Sequence, residues 1–282
     1  MIENLKYDMK MLFYRKEFYW SICIMLLITT IHLGLNVYTK LNFGTIGDSN
    51  QAYSVYIELL RPYSYQLPLS DIDVPFKYVI MLIFPLLASF MYSDSYLTEK
   101  KNKVTNYLSV RMCHCYSIVS KAIVIFIASF IIVFLILIIN MLFTTMIYST
   151  NNTSDIYGHH IYELEMVGDS MFESLRAYHM DAFVVMNLLR FSFITALMSV
   201  VTYVLSFFIE NKIIVNFSPL VIMLVTHLFL TTIGLTPYSI LSVFDFHMSI
   251  QVHHFVVLTS ILLLIIIGGI VFVIRKRKDV LC

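Results

Sequence analysis

Apolar residues fill six long stretches of the chain almost without interruption. They are Trp20–Tyr38, Phe76–Tyr92, Ala122–Tyr148, a fourth that ends at Ile209 and begins between Ala182 and Phe191, Ile213–Ile233 and Phe255–Ile274. Hydrocarbon about 30 Å thick is crossed by roughly 20 helical residues at about 1.5 Å each, so each stretch predicts a membrane-spanning helix. None alternates with the period of two that a barrel strand requires. The first is too long for a cleaved signal peptide, and no small-residue cleavage pattern follows it. Pro85 and Pro219 fall inside the second and fifth stretches, where each frees a carbonyl that neighbouring helices must satisfy. The expected fold is an all-α integral membrane protein with six transmembrane helices.

The segments between the spans carry patterns of their own. Over 1–19, Ile2, Leu5, Met9, Leu12 and Phe13 fall within one arc of a helical wheel, with Glu3, Lys6, Asp8 and Lys10 outside it. This suits an amphipathic helix in the membrane interface ahead of the first span, rather than a continuation of that span into water. Over 94–121, Leu97, Val104, Leu108 and Met112 form an apolar stripe, with Glu99, Lys100, Lys103 and Asn106 away from it. That is a short charged amphipathic helix, or else a solvated loop held to anionic lipid by its lysines. Gly234, Pro237 and Asp245 break the apolar run Leu235–Ile250, which is too short to cross twice and predicts a re-entrant or interfacial pair of short helices. The chain therefore divides into an interfacial helix (1–19), spans one and two with outer loop 39–75 (20–93), a connecting segment (94–121), spans three and four with acidic outer loop 149–181 (122–209), spans five and six with the re-entrant-like segment 234–252 (210–274), and a basic tail (275–282).

Composition excludes the other broad classes. Of 282 residues, 59% are hydrophobic and only 13% charged, far from the roughly 25% charged of soluble domains. Net charge is +1, but its distribution decides the orientation. With the amino terminus in the cytoplasm, 14 of the 19 basic residues and only 7 of the 18 acids lie inside. Positive charge is retained on the cytoplasmic side, so both termini are expected there. Cys23 then lies in a span and Cys113, Cys115 and Cys282 face the cytoplasm, so no disulfide is expected.

Candidate chemistry is sparse. Cys113-His114-Cys115 lacks the second ligand pair of a structural zinc site. Six of the nine histidines lie outside, among them His253 and His254, and are read as surface residues, because no spaced ligand motif accompanies them. Arg190 is expected at the outer interface, since Phe191–Ile209 already suffices to span. His227, deep in the fifth span, is expected to be a hydrogen-bonded packing residue, because no intramembrane carboxylate accompanies it; this argues against a proton-driven carrier. No glycine is followed by lysine, so the phosphate loop is absent, as are G-x-S-x-G, H-E-x-x-H and C-x-x-C. The chain is not expected to be an enzyme or to hold a cofactor or metal, and nucleic acid is not among its expected partners.

The arrangement resembles the permease subunits of ABC exporters of the second type. The closest local similarity is residues 94–121, where Glu99-Lys100, Val104-Thr105, Tyr107-Leu108 and Ser120-Lys121 match family features while the family's Gly and Pro are missing, with Lys103 and Met112 near their places. Residues 236–245 (TPYSILSVFD) are similar to the family's outer segment before its last span. The resemblance implies a chain in the plasma membrane that pairs with a second permease, identical or homologous, and with a separate ATPase that binds ATP and Mg. It implies that the inner helix around Leu97–Arg111 docks on that ATPase, with Leu97, Glu99, Lys100, Lys103, Thr105, Leu108 and Arg111 as the coupling residues. Pro85, Arg190, Pro219, His227, Pro237 and Asp245 are candidate pathway or gating positions. Few charges and many Phe, Tyr and Met along the spans suit hydrophobic or amphipathic cargo. Peptides are the first choice, with drug or lipid export and a non-transporting membrane sensor or scaffold as alternatives.

Overall fold

The computed structural model describes residues 2–43, 73–101, 114–147, 180–244 and 252–281. Every regular element among them is helical: α1 (Ile2–Phe13), α2 (Lys16–Phe43), α3 (Asp73–Tyr92), α4 (Ser95–Lys101), α5 (His114–Ile147), α6 (Met180–Leu205), α7 (Lys212–Thr232), a 3-10 turn (Thr236–Tyr238), α8 (Ile240–Phe244) and α9 (Val252–Leu281). Six of these helices, α2, α3, α5, α6, α7 and α9, are long and apolar enough to cross a membrane. Most of residues 39–75 and 149–181, and residues 102–113 and 245–251, lie outside the described residues, so Lys103, Thr105, Leu108, Arg111 and Asp245 do as well.

Several helices differ in length from the apolar stretches that predict them. At about 1.5 Å per residue, α5 is about 50 Å long, because it begins at His114 and carries Ser120 and Lys121 inside its first turns. α6 begins at Met180, earlier than its apolar run, and ends at Leu205, where the chain turns through residues 206–208. α9 continues through the basic tail to Leu281.

α6 is the central element. In its spanning window 78% of residues are buried, against 22% in α9. It packs along α5 and also against α3, α7 and α9. Its contact face carries Ser192, Thr195, Ser199 and Thr202, followed by Ser206 just past its end, all buried, at three- and four-residue spacing. Small side chains let neighbouring helices approach closely where lipid supplies no hydrophobic drive. Most of these hydroxyls donate to carbonyls of their own helix, as Ser192 does to Leu188 O at 2.8 Å and Thr202 to Met198 O at 2.9 Å. Others tie helices together. The Ser93 hydroxyl donates to Ser199 O at 2.9 Å, and Asn140 Nδ2 of α5 donates to Thr29 O of α2 at 3.1 Å.

Helices α3 and α7 meet through residues close in sequence to their prolines. Ser89, one turn after Pro85, donates to the Asn216 carbonyl at 3.1 Å, three residues before Pro219. Phe90 and Phe217 meet edge to face beside it, with centroids 5.8 Å apart. Helix α7 opens on Asn211, whose side chain accepts from Ile213 N at 2.9 Å. It closes on Gly234 at φ +80°, where Leu235 N donates to Leu230 O and Gly234 N to Thr231 O. Glycine adopts this left-handed conformation without strain and so ends the helix sharply.

Successive spans run in opposite directions, so one end of the bundle gathers the starts of α2, α5 and α7 and the ends of α3, α6 and α9. Phe208 just past α6 lies 5.8 Å from Phe272 near the end of α9. Helix α1 folds against α5 at this end. Its packing face differs from the apolar arc read on the wheel. Asn4, Asp8 and Leu12 are buried while Phe13 is exposed, because Ser120 of α5 offers the Asp8 carboxylate a hydrogen bond.

Candidate functional site

The end of the bundle that carries α1 holds a layer of ion pairs centred on the turn between α3 and α4. Asp94 occupies the N-cap position of α4, where its carbonyl accepts from Thr98 N at 3.1 Å. Its carboxylate is only 1% exposed and meets two cations. Arg15 Nη1, from the link between α1 and α2, lies 2.5 Å from Oδ1, and Lys212 Nζ, at the start of α7, lies 2.7 Å from Oδ2. The Arg15 guanidinium also covers the Tyr92 ring at 4.8 Å. A buried carboxylate is tolerated only when paired, and here two charge-assisted contacts on different oxygens meet that need.

Around this node α4 is fixed at both ends. Glu99 pairs with Lys121 of α5, and both side chains are largely buried. Lys100 pairs with Glu210 of the α6–α7 link at 2.6 Å on the exposed side. Hydrogen bonding and attraction from the Lys100 ammonium hold the Glu210 carboxyl below the usual carboxylate range. Lys212 also approaches Glu17 of α2 at 3.4 Å. The buried Leu97 completes the inner face of α4, and the Tyr96 ring packs against Phe207 at a tilt of 40°, with centroids 4.5 Å apart.

Asp8 joins the layer from α1. Its Oδ2 accepts from the Ser120 hydroxyl at 2.7 Å, next to the Lys121–Glu99 pair. Burial pushes its carboxyl up to about 6, with the Ser120 hydrogen bond and the Lys121 charge acting in the opposite sense and Glu99 adding to the rise. The layer thus joins α1, the start of α2, α4, the start of α5 and the α6–α7 link.

The residues singled out in the sequence fall in different places. Leu97, Glu99 and Lys100 lie in this layer, but Glu99 is turned toward Lys121 rather than outward. Pro85 and Pro219 are buried near the α3–α7 contact. Arg190 is buried in α6, eleventh in a helix that begins at Met180, between the fully buried Leu188 and Phe191. His227 is hydrogen-bonded, as its setting in α7 predicts, with Nδ1 2.9 Å from Ser239 Oγ. Ser239 in turn contacts Ser242 Oγ at 2.8 Å and accepts from Ser242 N at 3.1 Å, capping α8. Residues 240–244 are all buried, and the Phe244 ring packs against Phe191 at a tilt, with centroids 4.6 Å apart. Pro237 lies in the exposed 3-10 turn just before. There the Tyr238 hydroxyl meets His253 Nε2 at 2.8 Å, and its ring lies 4.5 Å from His254.

Sequence reading passed over Asp8, Arg15, Asp94, Lys212 and Glu210 as sites. The usable signal was position. Asp94 and Lys212 flank the ends of spans, and Asp8 shares an i, i+4 row with Asn4 and Leu12. No match to this chain is found among known protein families, curated proteins or solved structures.

Proposed function

We propose that this chain is the membrane-spanning permease subunit of an ATP-driven exporter, seated in the plasma membrane with both termini in the cytoplasm. It forms the translocation pathway with a second permease of the same or a homologous kind. ATP and Mg are bound by a separate ATPase subunit, and this chain supplies no catalytic group. The cargo is a hydrophobic or amphipathic peptide.

The observation that carries this reading is the fixing of α4 by Asp94, Glu99 and Lys100 to the starts of α2, α5 and α7 at one end of the bundle. A short helix held by charged contacts to several spans passes a displacement to all of them at once. Force applied to α4 from the aqueous side therefore moves spans, which an ATPase-coupled permease requires. The charge bias of the sequence supports a cytoplasmic position for this end.

The test is a mild-detergent pull-down of the tagged chain from its host, before and after crosslinking. The expected result is a stoichiometric companion that carries a phosphate loop. Glu99→Lys lowers its recovery, and adding Lys121→Glu restores it. Recovery of the chain alone, repeated after crosslinking, overturns the permease and favours a membrane sensor or scaffold.

A further inference from the structure

At the α1 end of the bundle, acids and bases are segregated. The acids whose side chains are described, Asp8, Glu17, Asp94, Glu99 and Glu210, each have a partner within the bundle. Arg15, Lys121, Lys100 and Lys212 are taken up in those contacts. Lys6, Lys10 and Lys16 are exposed and form no ion pair among the described residues. Positive charge is therefore left on the outside of a layer whose negative charge is satisfied within.

Two of these lysines share a face of α1, and Lys16 opens α2 three residues beyond that helix. On α1, Lys6, Lys10 and Tyr14 follow at four-residue spacing along the face opposite Asp8 and Leu12, with the Lys10 ammonium 6.0 Å over the Tyr14 ring. Tyr7 and Met11 flank that row on one side and Phe13 on the other, all exposed. On α2, Lys16 continues into an outward stripe of Trp20, Ile24, Leu27 and Ile31. A row of cations at the head of an apolar stripe, bordered by Tyr and Trp, matches the charge and polarity gradient of a membrane–water interface.

We propose that the surface of Lys6, Lys10 and Lys16 with Tyr14 and Trp20 binds anionic phospholipid headgroups in preference to zwitterionic ones. The lysines supply the charge complement, and the aromatic rings hold them at headgroup level. This rests on the membrane-spanning fold alone and stands apart from the permease reading, which copurification of an ATPase tests.

Trp20 is the only tryptophan of the chain and reports on this surface directly. The full chain is reconstituted in vesicles of phosphatidylcholine with a fixed minor fraction of phosphatidylglycerol. The nitroxide-labelled lipid is phosphatidylglycerol in one set and an equal amount of phosphatidylcholine in the other. Labelled phosphatidylglycerol is expected to quench Trp20 more strongly, and the difference shrinks as salt is raised. Each lysine near the surface contributes up to about a fivefold preference. The combined Lys6→Gln, Lys10→Gln and Lys16→Gln variant should lose most of it, while the same three positions changed to Arg keep it. The three lysines are exposed and form no ion pair among the described residues, so the Gln variant should melt as the parent does. Equal quenching by both lipids, or a preference that survives the Gln variant, overturns the proposal. Loss of the preference on adding inorganic phosphate at constant ionic strength overturns it in favour of a free-phosphate site.

Discussion

Val204 of α6 occupies the space where a Cβ on Gly269 of α9 would sit. The neighbouring Gly268 has nothing within 4 Å of that position. Gly269→Ala is therefore expected to lower the melting temperature in detergent, by about 1–3 kcal/mol of overpacking, because the β-branched Val204 has little rotamer freedom in a helix. Gly268→Ala should be neutral or slightly stabilising. Val204→Ala in the Gly269→Ala background should recover most of the loss. Equal effects at the two glycines would refute the close approach of α9 to α6.

Asp94 gives a second prediction. Asp94→Asn leaves Arg15 and Lys212 without their shared counter-charge and should destabilise by about 3–5 kcal/mol, the usual range for removing one partner of a buried pair. Arg15→Gln and Lys212→Gln should each have a smaller effect, since one cation remains. The double variant should lose more than the sum of the two. Additive losses would mean that the contacts act independently.

Asp8 links stability to pH. Its carboxyl is raised by burial from 3.8 to about 6, so between these values the folded protein keeps a proton that the unfolded chain releases. Its contribution is most favourable below 3.8 and is lost as pH rises toward about 6, above which it no longer changes. Acidification from pH 6 to 4 should therefore add stability through this residue. Asp8→Asn should flatten that slope and raise the melting temperature at pH 7.5. A parental slope that persists in Asp8→Asn would assign it elsewhere.

Thr195 is fully buried in α6, and its hydroxyl makes no hydrogen bond among the described residues. Replacement by the near-isosteric valine should leave stability unchanged or raise it by about 1 kcal/mol, since an unsatisfied buried hydroxyl is removed without opening a cavity. A loss beyond about 1 kcal/mol would show that the hydroxyl has a role in packing α6.

The legible and illegible parts of this chain separate by range. Six spans could be read because hydrocarbon imposes length and polarity on each helix by itself, and Ile213–Ile233 differs by one residue at each end from the helix Lys212–Thr232. The start of α6 could not be read, because Phe191–Ile209 already made a full span while the helix continues ten residues before Arg190. Asp8 misled for a different reason. A wheel ranks an acid as outward-facing and cannot know that Ser120, far along the chain, waits to donate to it. The pairing of Glu99 with Lys121 was hidden in the same way, because α5 starts upstream of its apolar run and turns Lys121 inward.

His227 supplies a final prediction. Its contact with the buried Ser239 anchors the start of α8. His227→Ala should raise hydrogen exchange over residues 236–244 and destabilise by about 1–2 kcal/mol, with little change in α3 or α5. Unchanged exchange in that segment would show that the packing of Phe244 on Phe191 holds it unaided.

Asp94 meets its partners in a fixed order during synthesis. Arg15 is already at the membrane when Asp94 leaves the ribosome, so the carboxylate has a counter-ion while α5 and α6 are still being made. Lys212 arrives only with α7 and takes the second oxygen. The bond to Arg15 can thus close the first half of the bundle as a provisional unit, and the bond to Lys212 registers the arrival of the second half.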